Sequence, residues 1–173
     1  GSSLGDTIML HYNTYRDFRK FNSSVDIDLR LSKGSKLRLG DISTFSGPLA
    51  RNRFFATNKD EIAEFSGRVY GKVGKKLRGD ALVVQLGDRT YMEGDFRGDG
   101  LTGDIDQSII EFRFDRLQSD LQTIGKIIPG FNPPASFYTL GNIGFSGDYQ
   151  IFFGFSHILH GKILTDIGTG DVD

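Results

Sequence analysis

Apolar and polar residues alternate with a period of two along most of this chain. Val25, Ile27, Leu29 and Leu31 point one way while Asp26, Asp28, Arg30 and Ser32 point the other. Leu37 and Leu39 alternate with Lys36 and Arg38, and Phe65, Gly67, Val69, Gly71 and Val73 oppose Glu64, Ser66, Arg68, Tyr70 and Lys72. Thr90, Met92, Gly94 and Phe96 are set against Arg89, Tyr91, Glu93 and Asp95; Ile110, Phe112 and Phe114 against Glu111, Arg113 and Asp115. Ile163, Thr165 and Ile167 close the series. Period two is the signature of a strand buried on one side only. Repeated this often, it predicts an antiparallel sheet with one wet face. In Ala81–Leu86 the adjacent Val83 and Val84 interrupt the pattern; Leu82 and Val84 are assigned to the apolar side.

Two stretches depart from alternation and predict brief helices. Asp41-Ile42-Ser43-Thr44-Phe45 and Asp120-Leu121-Gln122-Thr123-Ile124 each begin with a good N-cap and carry apolar residues three apart. Ile127 and Ile128 extend the second stripe, and Pro48 and Pro129 follow as stops. The two Asp-capped stretches lie 79 residues apart, Phe65-Ser66-Gly67 and Phe145-Ser146-Gly147 lie 80 apart, and the two prolines 81. Three landmarks in one order at nearly one offset predict a degenerate repeat, about 25–104 and 105–173, of the kind that extends along an axis. Gly1-Ser2-Ser3 has the composition of a tag remnant, which leaves 4–173 as one segment cut from something longer.

Composition agrees with many strands and turns. The 173 residues include 23 Gly but only 5 Ala, a scarcity of the best helix former. Leu, Ile, Val and Phe account for 52 of 173 residues, well above the range of disordered chains. A formal charge of −1 lacks the basic excess of a phosphate-neutralising protein. Cysteine is absent, which removes disulfides, thiolate metal sites and thiol nucleophiles. No apolar run reaches the length of a transmembrane helix.

Candidate chemistry is sparse. Asp95, Asp99, Gly100 and Asp106 fall at positions 1, 5, 6 and 12 of a calcium loop. Arg97 at position 3 and Thr102 at the loop-packing position spoil it, and a Gly/Asp turn is the better reading. His157 and His160 stand three apart, but with no fixed third ligand a surface pair is favoured; His11 is isolated. Lys72, Lys75, Lys76 and Arg78, with Arg68 just before, form a basic run amid acids such as Asp80 and Asp88, which reads as a solvated hairpin end. The aromatic run from Tyr149 to Phe155 reads as core packing or as an apolar surface for a ligand. No nucleophile constellation, phosphate loop or dinucleotide fingerprint occurs. The chain is therefore expected to be non-enzymatic and to need neither metal nor cofactor.

The order of these segments resembles a known family. A Thr7–Tyr12 strand, the Asp41-Ile42 helix, Phe65-Ser66-Gly67-Arg68-Val69-Tyr70-Gly71-Lys72-Val73, Thr90-Tyr91-Met92-Glu93-Gly94-Asp95 and Phe145-Ser146-Gly147 together resemble TamB. TamB is the translocation and assembly module subunit of Gram-negative bacteria, related to the AsmA-like proteins, and the likeness is closest to its Bacteroidetes-type members over most of 7–172. The long Ala50–Asp60 loop departs from the pattern, and no C-terminal signature strand is visible. The resemblance implies a periplasmic segment of an inner-membrane-anchored envelope protein. It implies an elongated, curled antiparallel sheet, a β-taco or groove, here with two short helices. The implied function is non-enzymatic conduction of phospholipid between inner and outer membranes, in support of outer-membrane biogenesis. The implied partners are phospholipid acyl chains and, through the full-length chain, a BamA/TamA-type barrel protein.

On this reading Val25, Ile27, Leu29, Phe65, Val69, Leu82, Val84, Met92, Phe96, Phe112 and Phe114 line one apolar groove. Open strand edges and the greasy groove favour self-association of the segment. The chief alternative is a β-sandwich ligand-binding or adhesion module of the cell envelope. An enzyme acting on glycans or lipids through unassigned carboxylates is a further one.

Overall fold

The structure, a computed structural model, describes residues 2–3, 5, 7–41, 58–101, 108–127, 133–152 and 156–173, with backbone alone at 125–127. Among them nine strands form one sheet: β1 (Ile8–His11), β2 (Asp26–Arg38), β3 (Ile62–Gly71), β4 (Lys76–Leu86), β5 (Thr90–Asp99), β6 (Ile109–Asp120), β7 (Asn142–Phe152), β8 (Ser156–Thr165) and β9 (Gly168–Val172). Spatial order follows chain order, every neighbour is antiparallel, and the sheet curls without closing. The fold is mainly β, as the alternation predicts. The described strands lie in a single sheet, not the stacked pair that defines a sandwich. Each strand pairs with its sequence neighbours; some connections are tight turns, such as Gly87–Arg89 between β4 and β5, whereas those after β1, β2 and β6 are long.

The short helices sit at the strand ends. α1 (Phe21–Ser24) follows a 3₁₀ turn at Tyr15–Lys20, and α2 (Leu121–Ile127) follows β6. At α2 the Asp120 carboxylate accepts the Thr123 N–H at 2.8 Å and the Thr123 hydroxyl at 3.0 Å, the cap its sequence requires. Of the helix expected at 41–45 only Asp41 is among the described residues; 42–45 and both proline stops, Pro48 and Pro129, lie outside them. The helical segment at 15–24 is not among the expected helices, although Tyr15, Phe18 and Phe21 stand three apart in it.

Several boundaries differ from the alternation; Leu39, expected in a strand, is helical together with Gly40 and Asp41, so Asp41 lies inside that turn and does not cap it. Val73 lies in the β3–β4 turn and Ile167, 71% exposed, in the β8–β9 turn. Their neighbours leave the ladder to reverse direction, so side-chain parity no longer assigns a face. Asp95–Asp99 continues β5 instead of forming a Gly/Asp turn, because Arg97 and Gly98 find partners in Glu111 and Ile110 of β6.

Between β3 and β4 the register shifts at Ser66/Arg68, and between β4 and β5 at Gly79/Leu82. Both shifts surround Ala81, whose φ of 47° makes it the sole non-glycine with positive φ among the described residues. One extra residue in β4 flips side-chain parity. Leu77 and Gly79 before the bulge, and Leu82, Val84 and Leu86 after it, therefore all meet the same side of β5. Beyond the bulge the alternation is regular, and Val83 is an apolar residue on the opposite face, across from Glu93.

Candidate functional site

Registered partners in an antiparallel pair share a face, so the groove face can be traced across the sheet. Leu29 lies opposite Val69, Phe65 opposite Val84, and Val84 opposite Met92. Leu82 and Phe114 both meet Gly94, Phe96 meets Phe112, and Ile27 meets Gly71 two positions from Val69. Val25, fully buried, precedes β2 at the parity of Ile27. All the groove residues expected from the sequence thus occupy one face.

The same face continues where the sequence reading stopped. Leu117, Phe145, Tyr149, Ile151, Leu159 and Ile163 join it through the registers of β6, β7 and β8. Ile143, Phe145, Gly147, Tyr149 and Ile151 do alternate, but glycine at 144 and 147 and the bulky Phe152-Phe153 mask the period. At every registered position on this face, from β1 to β9, no Asp, Glu, Lys or Arg occurs. The polar groups at its one end satisfy each other: Thr90 and Ser119 hydroxyls lie 2.8 Å apart, and Ser35 exchanges hydrogen bonds with the Gly5 backbone at 3.1 Å.

Aromatic rings run across the middle of this face. Phe96 and Phe112 centroids are 6.2 Å apart, Phe112 stacks on Phe114 at 5.5 Å, and Phe114 meets Phe145 edge-on at 5.8 Å. Glycine on the adjacent strand makes room for the end rings: a methyl at Gly79 would collide with Phe96, and one at Gly161 with Phe145. Phe114 and Phe145 are buried, whereas Ile27, Leu29, Phe65, Val69, Leu82, Val84, Met92, Phe96 and Phe112 remain half-buried. A face so apolar, with most of its side chains still partly in water, is incomplete as a core.

The opposite face is laced with charge pairs. The Arg68 guanidinium grips the Asp28 carboxylate through two bonds of 2.8 and 2.9 Å, and Arg30 approaches at 3.5 Å. Those donations hold the Asp28 carboxyl below the usual aspartate range. Lys36–Glu64 at 2.8 Å, Lys72–Asp26 at 3.2 Å and the Arg113–Asp95 pair extend the pattern. Tyr91 donates to Glu93 at 2.9 Å, which together with burial raises its phenol pKa. Such pairs solubilise one side and leave the other free of charge.

The remaining candidates do not assemble. Asp95 accepts the Ala81 N–H at 2.9 Å and pairs with Arg113, so it is committed within the sheet. Asp99 is four residues farther along an extended strand, about 13 Å away, and Thr102 and Asp106 lie outside the described residues. His157 shares the groove face, its Nδ1 2.8 Å from the Tyr149 hydroxyl, while His160 points to the other face and pairs with Asp173. A spacing of three puts residues on opposite sides of a strand. His11 ends β1 across from Asp26. Among the described residues no group of three potential metal ligands converges. Lys72, Lys75, Lys76 and Arg78 surround an open hollow of about 350 Å³ at the β3–β4 turn, with Asp26, Tyr70 and Gly71. Of the aromatic run, 153–155 lie outside the described residues.

Compared with family models, with curated proteins and with solved structures, the chain gives no match.

Proposed function

We propose that this chain is a lipid-conducting segment of a TamB-like, AsmA-like periplasmic protein, anchored to the inner membrane through its full-length chain. Phospholipid acyl chains lie on the apolar face and slide along it toward an outer-membrane BamA/TamA-type barrel partner. The observation that carries the reading is the charge-free, half-buried face that continues from β1 to β9.

Moving a ~16-carbon acyl chain through water costs about 0.8 kcal/mol per CH₂, roughly 12 kcal/mol in all. A continuous apolar floor removes most of that barrier. Eight inter-strand steps of about 4.8 Å give a contour of roughly 38 Å, longer than the ~15 Å spanned by the chains of one leaflet. A chain can therefore be wholly accommodated and still have room to move. Without a fixed cation on the floor, no headgroup is held in one place. Rings lying over glycines keep the floor smooth.

Phe112→Asp tests the proposal, because Phe112 sits mid-chain in the aromatic row and is still partly exposed. The variant is expected to keep its far-ultraviolet circular dichroism, since water reaches the new carboxylate, and to lose uptake of a fluorescent fatty acid. Loss of the folded signal marks Phe112 as part of a closed core. Retained uptake in a folded variant also sinks the conduit.

A further inference from the structure

One end of the sheet carries a second surface that the groove does not use. Between β1 and β2 the chain makes a 3₁₀ turn, Tyr15–Lys20, that runs into α1. Side chains three apart eclipse in a 3₁₀ helix, which aligns Tyr15 with Phe18; Tyr12 just before the turn and Phe21 just after it join them in one stripe through ring contacts. The rings touch in series, with centroids 5.7 Å apart for Tyr12–Tyr15, 4.8 Å for Tyr12–Phe18 and 6.2 Å for Phe18–Phe21. The stripe is open to water: Tyr15 is 83%, Tyr12 42% and Phe18 40% exposed. It is also held in shape, because the Asp17 carboxylate accepts the Asn13 and Thr14 N–H groups at 2.8 and 2.9 Å.

Cations border the stripe. Arg16 and Arg19 fall on the adjacent row and Lys20 on the third. The β3–β4 turn docks against the segment through the Gly74 N–H and the Asn22 carbonyl at 2.6 Å, which brings Lys72, Lys75 and Lys76 to the same end. Asp17 and Asp26 are engaged, one as the cap and one with Lys72. A chain of overall charge −1 thus places cations beside Tyr15, the most exposed aromatic ring among the described residues.

We propose that this tip docks on the surface of an anionic phospholipid bilayer, with the aromatic stripe at headgroup depth and the flanking cations on lipid phosphates. Tyrosine and phenylalanine on one side of a short helix, with Lys and Arg beside them, is the composition of an interfacial membrane segment. Charge complementarity selects the anionic surface. The inference goes beyond the conduit reading and does not need it, since the docking tip lies at the strand ends and not on the groove floor.

The test is flotation of the purified 173-residue chain with vesicles of phosphatidylcholine alone and of equal parts phosphatidylcholine and phosphatidylglycerol. Binding is expected to the anionic vesicles only, weakened by salt. Lys75→Gln with Lys76→Gln should weaken it by about fivefold per cation. Tyr15→Ser, at a position too exposed to matter for folding, should weaken it with circular dichroism unchanged. Tyr15→Trp introduces the one tryptophan of a chain that has none; its emission should shift to the blue on anionic vesicles. Equal binding to both vesicle types, no binding to either, a Tyr15→Ser variant that floats like the parent, or an unshifted tryptophan overturns the proposal. Fatty-acid uptake by the groove is measured separately, so the two ideas fail independently.

Discussion

β3 and β7 both carry Phe-Ser-Gly at their fourth to sixth residues, and the structure treats the two alike only up to a point. In both, the Phe faces the groove and the Gly takes a positive φ, 117° at Gly67 and 147° at Gly147. In both, a carbonyl of the next strand occupies the place of a Cβ, that of Ala81 for Gly67 and that of His160 for Gly147. There the likeness ends. β4 passes Gly67 with a bulge at Ala81 and loses a register step, whereas β8 passes Gly147 in unbroken register with Gly161 opposite. Ala81 and Gly161 are 80 residues apart. Where the neighbour is glycine the strands close up and Phe145 lies over it, 7% exposed; where it is alanine the strand bulges, and Phe65 stays half-buried. A short motif dictates its own backbone, and the strand beside it decides the packing.

The largest test of that contrast is truncation of the two phenylalanines. Phe145→Ala removes a buried ring in contact with Phe114 and should cost about 3–5 kcal/mol in urea unfolding. Phe65→Ala, half-exposed beside Leu39, Ala63 and Leu86, should cost about 2 kcal/mol. Equal costs would mean that the bulge makes no difference to packing.

Alanine at the glycines comes next. Gly67→Ala and Gly147→Ala each force a Cβ into a positive-φ backbone against a carbonyl, at about 1–3 kcal/mol. Gly161→Ala should fall in the same range by displacing the Phe145 ring and crowding the Ser146 carbonyl. A neutral Gly161→Ala would show that β8 can bulge as β4 does.

Ala81→Gly should act in the opposite direction. Relief of a left-handed alanine at φ 47° outweighs the entropy of added glycine by about 0.5 kcal/mol. A raised thermal midpoint is the expected result, and a lowered one would place the cause of the bulge elsewhere.

The smallest effect concerns the charged face. Asp28, gripped by Arg68, has its folded-state pKa below the unfolded value. Its stabilisation is therefore complete above the ordinary aspartate range and is lost as pH falls through the depressed folded value, below about pH 4. Asp28→Asn should melt slightly lower at neutral pH, and its deficit should vanish in acid. Arg68 is substantially exposed, so solvent screens the pair and the shift should be the least of the series. A deficit that persists unchanged in acid would assign it to lost packing.

Much of the groove was legible because alternation is a local property. Met92 and Phe96, or Phe112 and Phe114, must share a side of any extended strand, whatever lies next to it. The Asp120 cap was legible for the same reason, since a carboxylate reaches an N–H three residues on without help from the rest of the chain. The 3₁₀ turn at Tyr15–Lys20 was passed over although Tyr15, Phe18 and Phe21 stand three apart, and that this stripe faces solvent is a fact of the tertiary structure.

Other features depend on distant neighbours and have no local signature. Nothing within Ala81–Leu86 says that Leu82 and Val84 turn inward; the bulge at Ala81 does, and it arises where β3 and β5 both meet β4. The Asp28–Arg68 grip joins residues 40 apart, and the row from Phe96 to Phe145 joins three strands. Alternation gives each strand an apolar side but does not say what covers it. A second sheet, a helix layer or open space would all satisfy the same pattern, because the hydrophobic effect is non-directional. That the nine strands share one curled sheet, with a charge-free face left half in water, follows only from how they pair.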